Sequence, residues 1–178
     1  MINMDKGYVQ IYTGDGKGKT TAALGVGLRA TGRGFKVLMI QFLKGAFSGE
    51  HESVKRLEGF TILPIGGIDK FTWQLDEQET KELKDNIQAN FTKIIGELDK
   101  VSVDILILDE VMAAISCGFI EVEQICEIID NKPEGMEIIL TGRNTPKELA
   151  DRADLITEMK PIKHYMNNGV MARNGIER

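Results

Sequence analysis

No stretch of this sequence approaches the ~18 consecutive apolar residues of a membrane-spanning helix. The opening residues, Met1 to Lys6, are polar and lack the apolar region of ~7 to 15 residues that marks a secretory signal. A chain with neither feature is expected to act in the cytoplasm. Cysteine is scarce: Cys117 and Cys126 are the only two, and they show no CxxC or Cys/His spacing. That pattern suggests neither a disulfide framework nor a zinc site, and both are expected to be buried as small apolar residues. Positive charge is not in surplus either. A formal net charge of -5 disfavours non-specific nucleic-acid binding, which relies on a basic face, but it leaves room for a phosphate ligand that needs only local donors. Internal repeats and low-complexity segments are missing, as is any persuasive Ser/His/Asp or Cys/His constellation that would supply a side-chain nucleophile.

What is present is enough for one core. A chain of 178 residues accommodates one domain and, without an obvious linker, not two ordinary ones, so a single domain over 1–178 is expected. Apolar content of 42% and charged content of 28% are those of a globular protein. Short apolar, β-branched runs at Tyr8 to Tyr12, Lys36 to Phe42, Phe60 to Ile65, Val103 to Leu108, Glu137 to Thr141 and Leu155 to Met159 alternate with segments of helical period. Most of the runs are near-continuously apolar, as in strands covered on both faces. Glu77 to Leu98 places Leu83, Ile87, Phe91, Ile94, Ile95 and Leu98 on one helical stripe, and Glu121 to Ile129 does the same with Val122, Ile125, Cys126 and Ile129. The pattern predicts an α/β fold of the P-loop NTPase type: a mostly parallel sheet of about six strands with helices on both faces.

The first strand runs into Thr13-Gly14-Asp15-Gly16-Lys17-Gly18-Lys19-Thr20-Thr21, which opens a helix. This nearly matches a P-loop, in which glycines let backbone N–H groups converge on phosphate oxygens. A lysine reaches the phosphates, and a hydroxyl at the helix start contacts Mg²⁺. Lys19 and Thr20 fill those two roles, and Lys17 reads as a further phosphate donor. One departure is that Thr13 stands where the pattern has its first glycine. The fourth run leads into Asp109-Glu110, acidic groups at the C-terminal end of a buried strand, where open α/β sheets hold their ligands. Either carboxylate could be the metal-side partner of Thr20, because Mg²⁺ shared with a triphosphate commonly uses one or two carboxylates plus waters. A helix-capping role for the pair is the alternative. Lys44 and Arg143 follow strand ends and are candidates for phosphate contact.

The segments Gly14 to Thr21, Gln41-Phe42-Leu43-Lys44-Gly45, Phe71-Thr72-Trp73, Leu108-Asp109-Glu110, Thr141-Gly142-Arg143 and Lys163-His164, in this order, resemble the P-loop class of ATP:corrinoid adenosyltransferases. The resemblance implies that Co(I) of a corrinoid attacks the 5′ carbon of ATP, forming a cobalt–carbon bond and releasing triphosphate. The protein would then supply orientation and charge neutralisation rather than a nucleophile. It also implies Mg²⁺, a reductase or flavoprotein as electron donor, and a homodimer. Phe71 and Trp73 are implied as aromatics that wedge against the lower face of the corrinoid and exclude an axial ligand. His164 is expected to pack within the tail, and His51 has no assigned role. A small-molecule kinase and a nucleotide-dependent switch are the competing uses of such a loop; the first lacks an evident base for an acceptor, and neither has an evident use for the Phe71-Thr72-Trp73 segment.

Overall fold

The computed structural model describes residues 4–45, 48–67 and 72–177, with the side chains of Trp73 and Asp99 outside that description. Six strands, β1 (Val9–Thr13), β2 (Val37–Phe42), β3 (Phe60–Ile65), β4 (Ile105–Asp109), β5 (Glu137–Thr141) and β6 (Leu155–Glu158), form one sheet in the order β3-β2-β4-β5-β1-β6. Every neighbouring pair is parallel, as the alternating pattern predicts. Helices α1 (Lys19–Thr31), α2 (Gly49–Val54), α3 (Glu77–Glu97), α4 (Val111–Ser116), α5 (Val122–Asp130) and α6 (Lys147–Ala150) make the connections.

The strand ends shift where side chains capture backbone groups. Tyr8 gives its N–H to the Glu137 carboxylate at 2.6 Å, and Lys36 gives its N–H to Asp104 at 2.7 Å. The ladder therefore begins one residue later in β1 and β2. At the other end β4 extends to Asp109, which faces Gln41 in register. Two helices begin on reciprocal caps: Asp76 with Glu79 for α3 and Glu121 with Gln124 for α5.

The period of two divides the core. Ile11, Leu38, Ile40, Leu106, Leu108, Ile138 and Leu140 face Ile87 and Phe91 of α3 and Ile125 of α5. Met39, Ile105, Ile107 and Ile139 face α1 through Ala23 and Ala30. Strands β2, β4 and β5 are buried throughout. β6 departs from the expectation of two covered faces, because it lies at the sheet edge with all four residues exposed. Cys126 is buried, but Cys117 is exposed. That corrects the expectation for Cys117, which follows the last turn of α4, where the chain reverses through Gly118 at φ +69°.

Candidate functional site

On the α1 side of the sheet the apolar alternation ends in polar groups at the C-terminal strand ends. Gln41, Asp109 and Thr141 continue the face of Met39, Ile107 and Ile139 and are buried. Thr141 donates its hydroxyl to Asp109 Oδ1 at 2.6 Å and accepts the Glu110 N–H at 2.9 Å. The Gln41 amide donates to Asp109 Oδ2 at 3.2 Å, while His51 Nε2 meets Gln41 Oε1 at 2.6 Å. The amide oxygen only accepts, so that His51 nitrogen carries the proton. Both Asp109 oxygens are thus engaged inside the protein.

Glu110 is placed differently. It takes the left-handed conformation, φ +59°, which costs a non-glycine residue of order 1–2 kcal/mol. Leu43 (φ +57°) and Asn144 (φ +55°) do the same. All three lie just past the ends of β2, β4 and β5, Leu43 beside Lys44 and Asn144 beside Arg143. Backbone strain gathered at one edge of a sheet is a mark of a functional rim. The Glu110 carboxylate makes no hydrogen bond among the described residues; burial first, then the Asp109 charge, pushes its pKa up, against the pull of Lys19, Lys44 and Arg143.

The loop between β1 and α1 faces this rim. Gly18, at φ +121°, precedes a helix with no side-chain cap and no acidic residue in its first turn, so the first N–H groups of α1 are left for an anion. Lys19 is buried and folds back, donating to the carbonyls of Gly14 at 2.7 Å and Gly16 at 2.9 Å. Burial lowers its pKa, and Glu110 opposes that shift. The glycines serve a second purpose that the motif alone does not reveal. Gly16 donates its N–H to the Met159 carbonyl at 2.7 Å. A Cβ at Gly14 or Gly16 would sit 2.5 or 2.6 Å from that same oxygen. The chain leaving β6 therefore crosses the loop at backbone contact.

Loop, rim and tail enclose a cleft of about 630 Å³. Of the residues singled out in the sequence, Asp15, Gly16, Lys17, Gly18, Lys19, Thr20, Thr21, Lys44, Glu110 and Arg143 line it. Gly14 lies beneath the Lys19 ammonium and Asp109 beneath the rim. Phe71 lies outside the described residues; Trp73 belongs to a 3-10 turn, Thr72–Gln74, that leads into α3. Sequence reasoning passed over Glu50, Ser53 and the tail residues Met166, Ile176 and Glu177, which also line the cleft. Glu50 follows the Ser48 N-cap of α2, a visible helix-start signal, whereas nothing local in the tail marks a return to the loop. His164 accepts the Met166 N–H and packs on Tyr165, the expected packing role, while also lining the cleft.

Three cations of the cleft each face an acid. Lys17 meets Glu177 at 2.7 Å, Lys44 meets Glu50 at 3.6 Å, and Arg143 meets Asp15 at 3.6 Å. The Arg143 pair is largely exposed and holds little energy. So loose a pair frees its cation readily when a more highly charged anion arrives.

A parallel sheet with a glycine-rich turn between β1 and α1, a lysine and threonine at the helix start and a carboxylate on the adjacent rim define a P-loop nucleotide-binding protein. The chain belongs to the ATP:corrinoid adenosyltransferase BtuR/CobO/CobP family, whose model matches residues 5–178. It is 30% identical to the corrinoid adenosyltransferase of Escherichia coli strain K12, covering 97% of this chain and 86% of that protein. The corrinoid adenosyltransferase CobA of Salmonella typhimurium is matched at the same identity and coverage. A corrinoid adenosyltransferase of Sinorhizobium sp is 31% identical over 97% of this chain and 81% of its own length.

Proposed function

We infer that this chain, as one domain, transfers the 5′-deoxyadenosyl group of ATP to the Co(I) centre of a corrinoid and releases triphosphate. The observation that carries this is the cleft itself: a phosphate loop, an uncapped helix start, four cations and the strand-end carboxylate of Glu110, in a chain of the adenosyltransferase family. Lys17, Lys19, Lys44 and Arg143 neutralise the triphosphate, and the N–H groups at the start of α1 orient it. Stabilising charge on the leaving triphosphate is the catalysis the site can supply when the metal centre of the substrate is the nucleophile.

The donor set also suits Mg²⁺. Thr20 offers a hydroxyl at the helix start, and Glu110 offers a carboxylate whose pKa is held up by burial and by the Asp109 charge. Asp109 is spent on Thr141 and Gln41, and its part is to hold Glu110 through the shared Thr141 hydroxyl. When bound, the ion would add Lewis-acid neutralisation of the phosphates. Phe71 and Trp73 are assigned to the corrinoid face, a separate reductase or flavoprotein to delivery of the electron, and the cytoplasm to the reaction. No helix among the described residues is long and apolar enough to cross a membrane. A homodimer is the proposed assembly, which light scattering after size exclusion checks.

The deciding experiment mixes the protein with Mg-ATP and chemically reduced cobalamin and follows the spectrum toward a light-sensitive adenosyl product, with triphosphate as co-product. Formation of ADP with no cobalt alkylation would overturn the assignment in favour of a kinase.

A further inference from the structure

Glu177, near the end of the chain, carries a carboxylate that receives donors from two directions. From the phosphate loop comes Lys17 Nζ, at 2.7 Å. From the tail come the Tyr165 hydroxyl and the Arg173 backbone N–H at 2.8 Å, Nε at 3.3 Å and Nη2 at 3.2 Å. The donors are braced in turn. Lys17 also reaches Tyr165 Oη at 3.2 Å and the Ile176 carbonyl at 3.3 Å, and the Arg173 guanidinium lies 5.0 Å over the Tyr165 ring. The carboxylate side chain is only 16% exposed although it belongs to a surface tail.

A lysine, a guanidinium fork and a hydroxyl converging on one oxyanion bind a phosphoryl group as readily as a carboxylate. We propose that Lys17, Tyr165 and Arg173 form an anion subsite that meets the nucleotide cleft at Lys17 and Glu177, that Glu177 fills it as a tethered competitor, and that a phosphate of the polyphosphate chain displaces it. The proposal rests on the reading of the cleft as a triphosphate site. Its use lies in product release. Triphosphate is a polyanion facing four cations, and a carboxylate that returns to Lys17 as the phosphate departs lowers the grip on the product without any change of protonation. Arg173 first, then Lys17 and Tyr165, hold the Glu177 carboxyl well below the ordinary carboxylate range, so the competitor stays charged.

Calorimetric titration with inorganic tripolyphosphate at fixed ionic strength tests this in wild type, Glu177→Gln, Lys17→Ala, the double variant and Lys19→Ala. The charge of Glu177 opposes binding only through Lys17 and Arg173. Glu177→Gln is therefore expected to tighten tripolyphosphate up to about fivefold, the upper end for a partly exposed pair, and to lose most of that gain once Lys17 is alanine. Unchanged or weaker binding by folded Glu177→Gln overturns the subsite. Normal binding by Lys19→Ala instead sinks the triphosphate reading of the cleft, so the two failures are distinguishable. A second measurement needs no variant. Saturating tripolyphosphate should speed trimming of Glu177 from the wild-type chain by carboxypeptidase Y, because the displaced carboxylate is no longer held by Lys17 and Arg173; protection or no change there counts against displacement.

Discussion

Gly16→Ala separates what the phosphate loop owes to its ligand from what it owes to the rest of the fold. An added Cβ would lie 2.6 Å from the Met159 carbonyl oxygen, 2.8 Å from its carbon and 3.0 Å from the Lys160 carbonyl carbon. These are backbone atoms, so no rotamer change relieves the clash. Overpacking of this kind costs about 1–3 kcal/mol. The hydrogen bond from the Gly16 N–H to Met159 is stretched as the strands part, a further loss of about 0.5–1.5 kcal/mol. A destabilisation of about 3 kcal/mol lowers the Tm of a chain this size by roughly 6–12 °C. Gly25→Ala is the control. Its Cβ meets nothing within 4 Å in the middle of α1, so it should stabilise by about 0.5–1 kcal/mol. Thermal melts of both variants without nucleotide decide the matter. A Gly16→Ala variant that melts like wild type and loses only tripolyphosphate binding would refute the claim that the tail's approach, and not the ligand alone, demands this glycine.

Lys19→Ala removes a charge-assisted phosphate donor worth about 1.5–3 kcal/mol, so ATP affinity by titration should fall at least tenfold with the circular dichroism spectrum intact. Glu110→Gln should raise the Mg²⁺ concentration for half-maximal rate, and in the ligand-free protein it should raise Tm at neutral pH. A carboxyl whose folded pKa is raised by burial contributes stability that is present below its unfolded pKa and lost as pH rises through the folded value. The gain must therefore vanish toward acid pH, and melts across pH 4 to 8 test that sign. Asp109→Asn, which disturbs the buried bonds to Thr141 and Gln41, should instead lower Tm at neutral pH. Trp73→Ala should bind ATP nearly normally yet fail when a mild protein reductant must supply Co(I), with much of the rate restored by chemically pre-reduced corrinoid; equal loss in both regimes would mark the ring as core.

The sheet was legible because its strands are runs such as Ile105-Leu106-Ile107-Leu108, as in strands covered on both faces, and α3 because Leu83, Ile87, Phe91, Ile94 and Ile95 recur at steps of three and four. The phosphate loop was legible because Gly-Lys-Thr-Thr between strand and helix carries its mechanism in consecutive residues. What the sequence hid depends on distance along the chain. Glu177 pairs with Lys17 across 160 positions, Glu137 with Tyr8 across 129, and no local pattern encodes either. The division of labour between Asp109 and Glu110 was hidden for another reason. It turns on one left-handed residue, and a glutamate there bears no compositional signal of positive φ.

The pairing of cleft cations with carboxylates leads to a kinetic expectation that differs from that of most polyanion sites. A basic cleft steers a polyanion through its long-range field, and salt then slows association steeply. Here Lys17, Lys44 and Arg143 each face an acid, Lys19 faces Glu110, and the whole chain carries a formal charge of -5. Little attractive field extends beyond the Debye length of about 10 Å at 0.1 M salt. Attraction begins only at contact, when the phosphates exchange with the carboxylates. Raising salt from about 50 to 200 mM should therefore leave the association rate of tripolyphosphate unchanged or slightly faster, because screening acts mainly on net repulsion, while the affinity lost at high salt should come from faster dissociation. Stopped-flow measurement against a displaceable fluorescent nucleotide gives both rates. An association rate that falls severalfold over that range would show a net positive field at the cleft mouth, and the carboxylates would not be acting as its counter-ions.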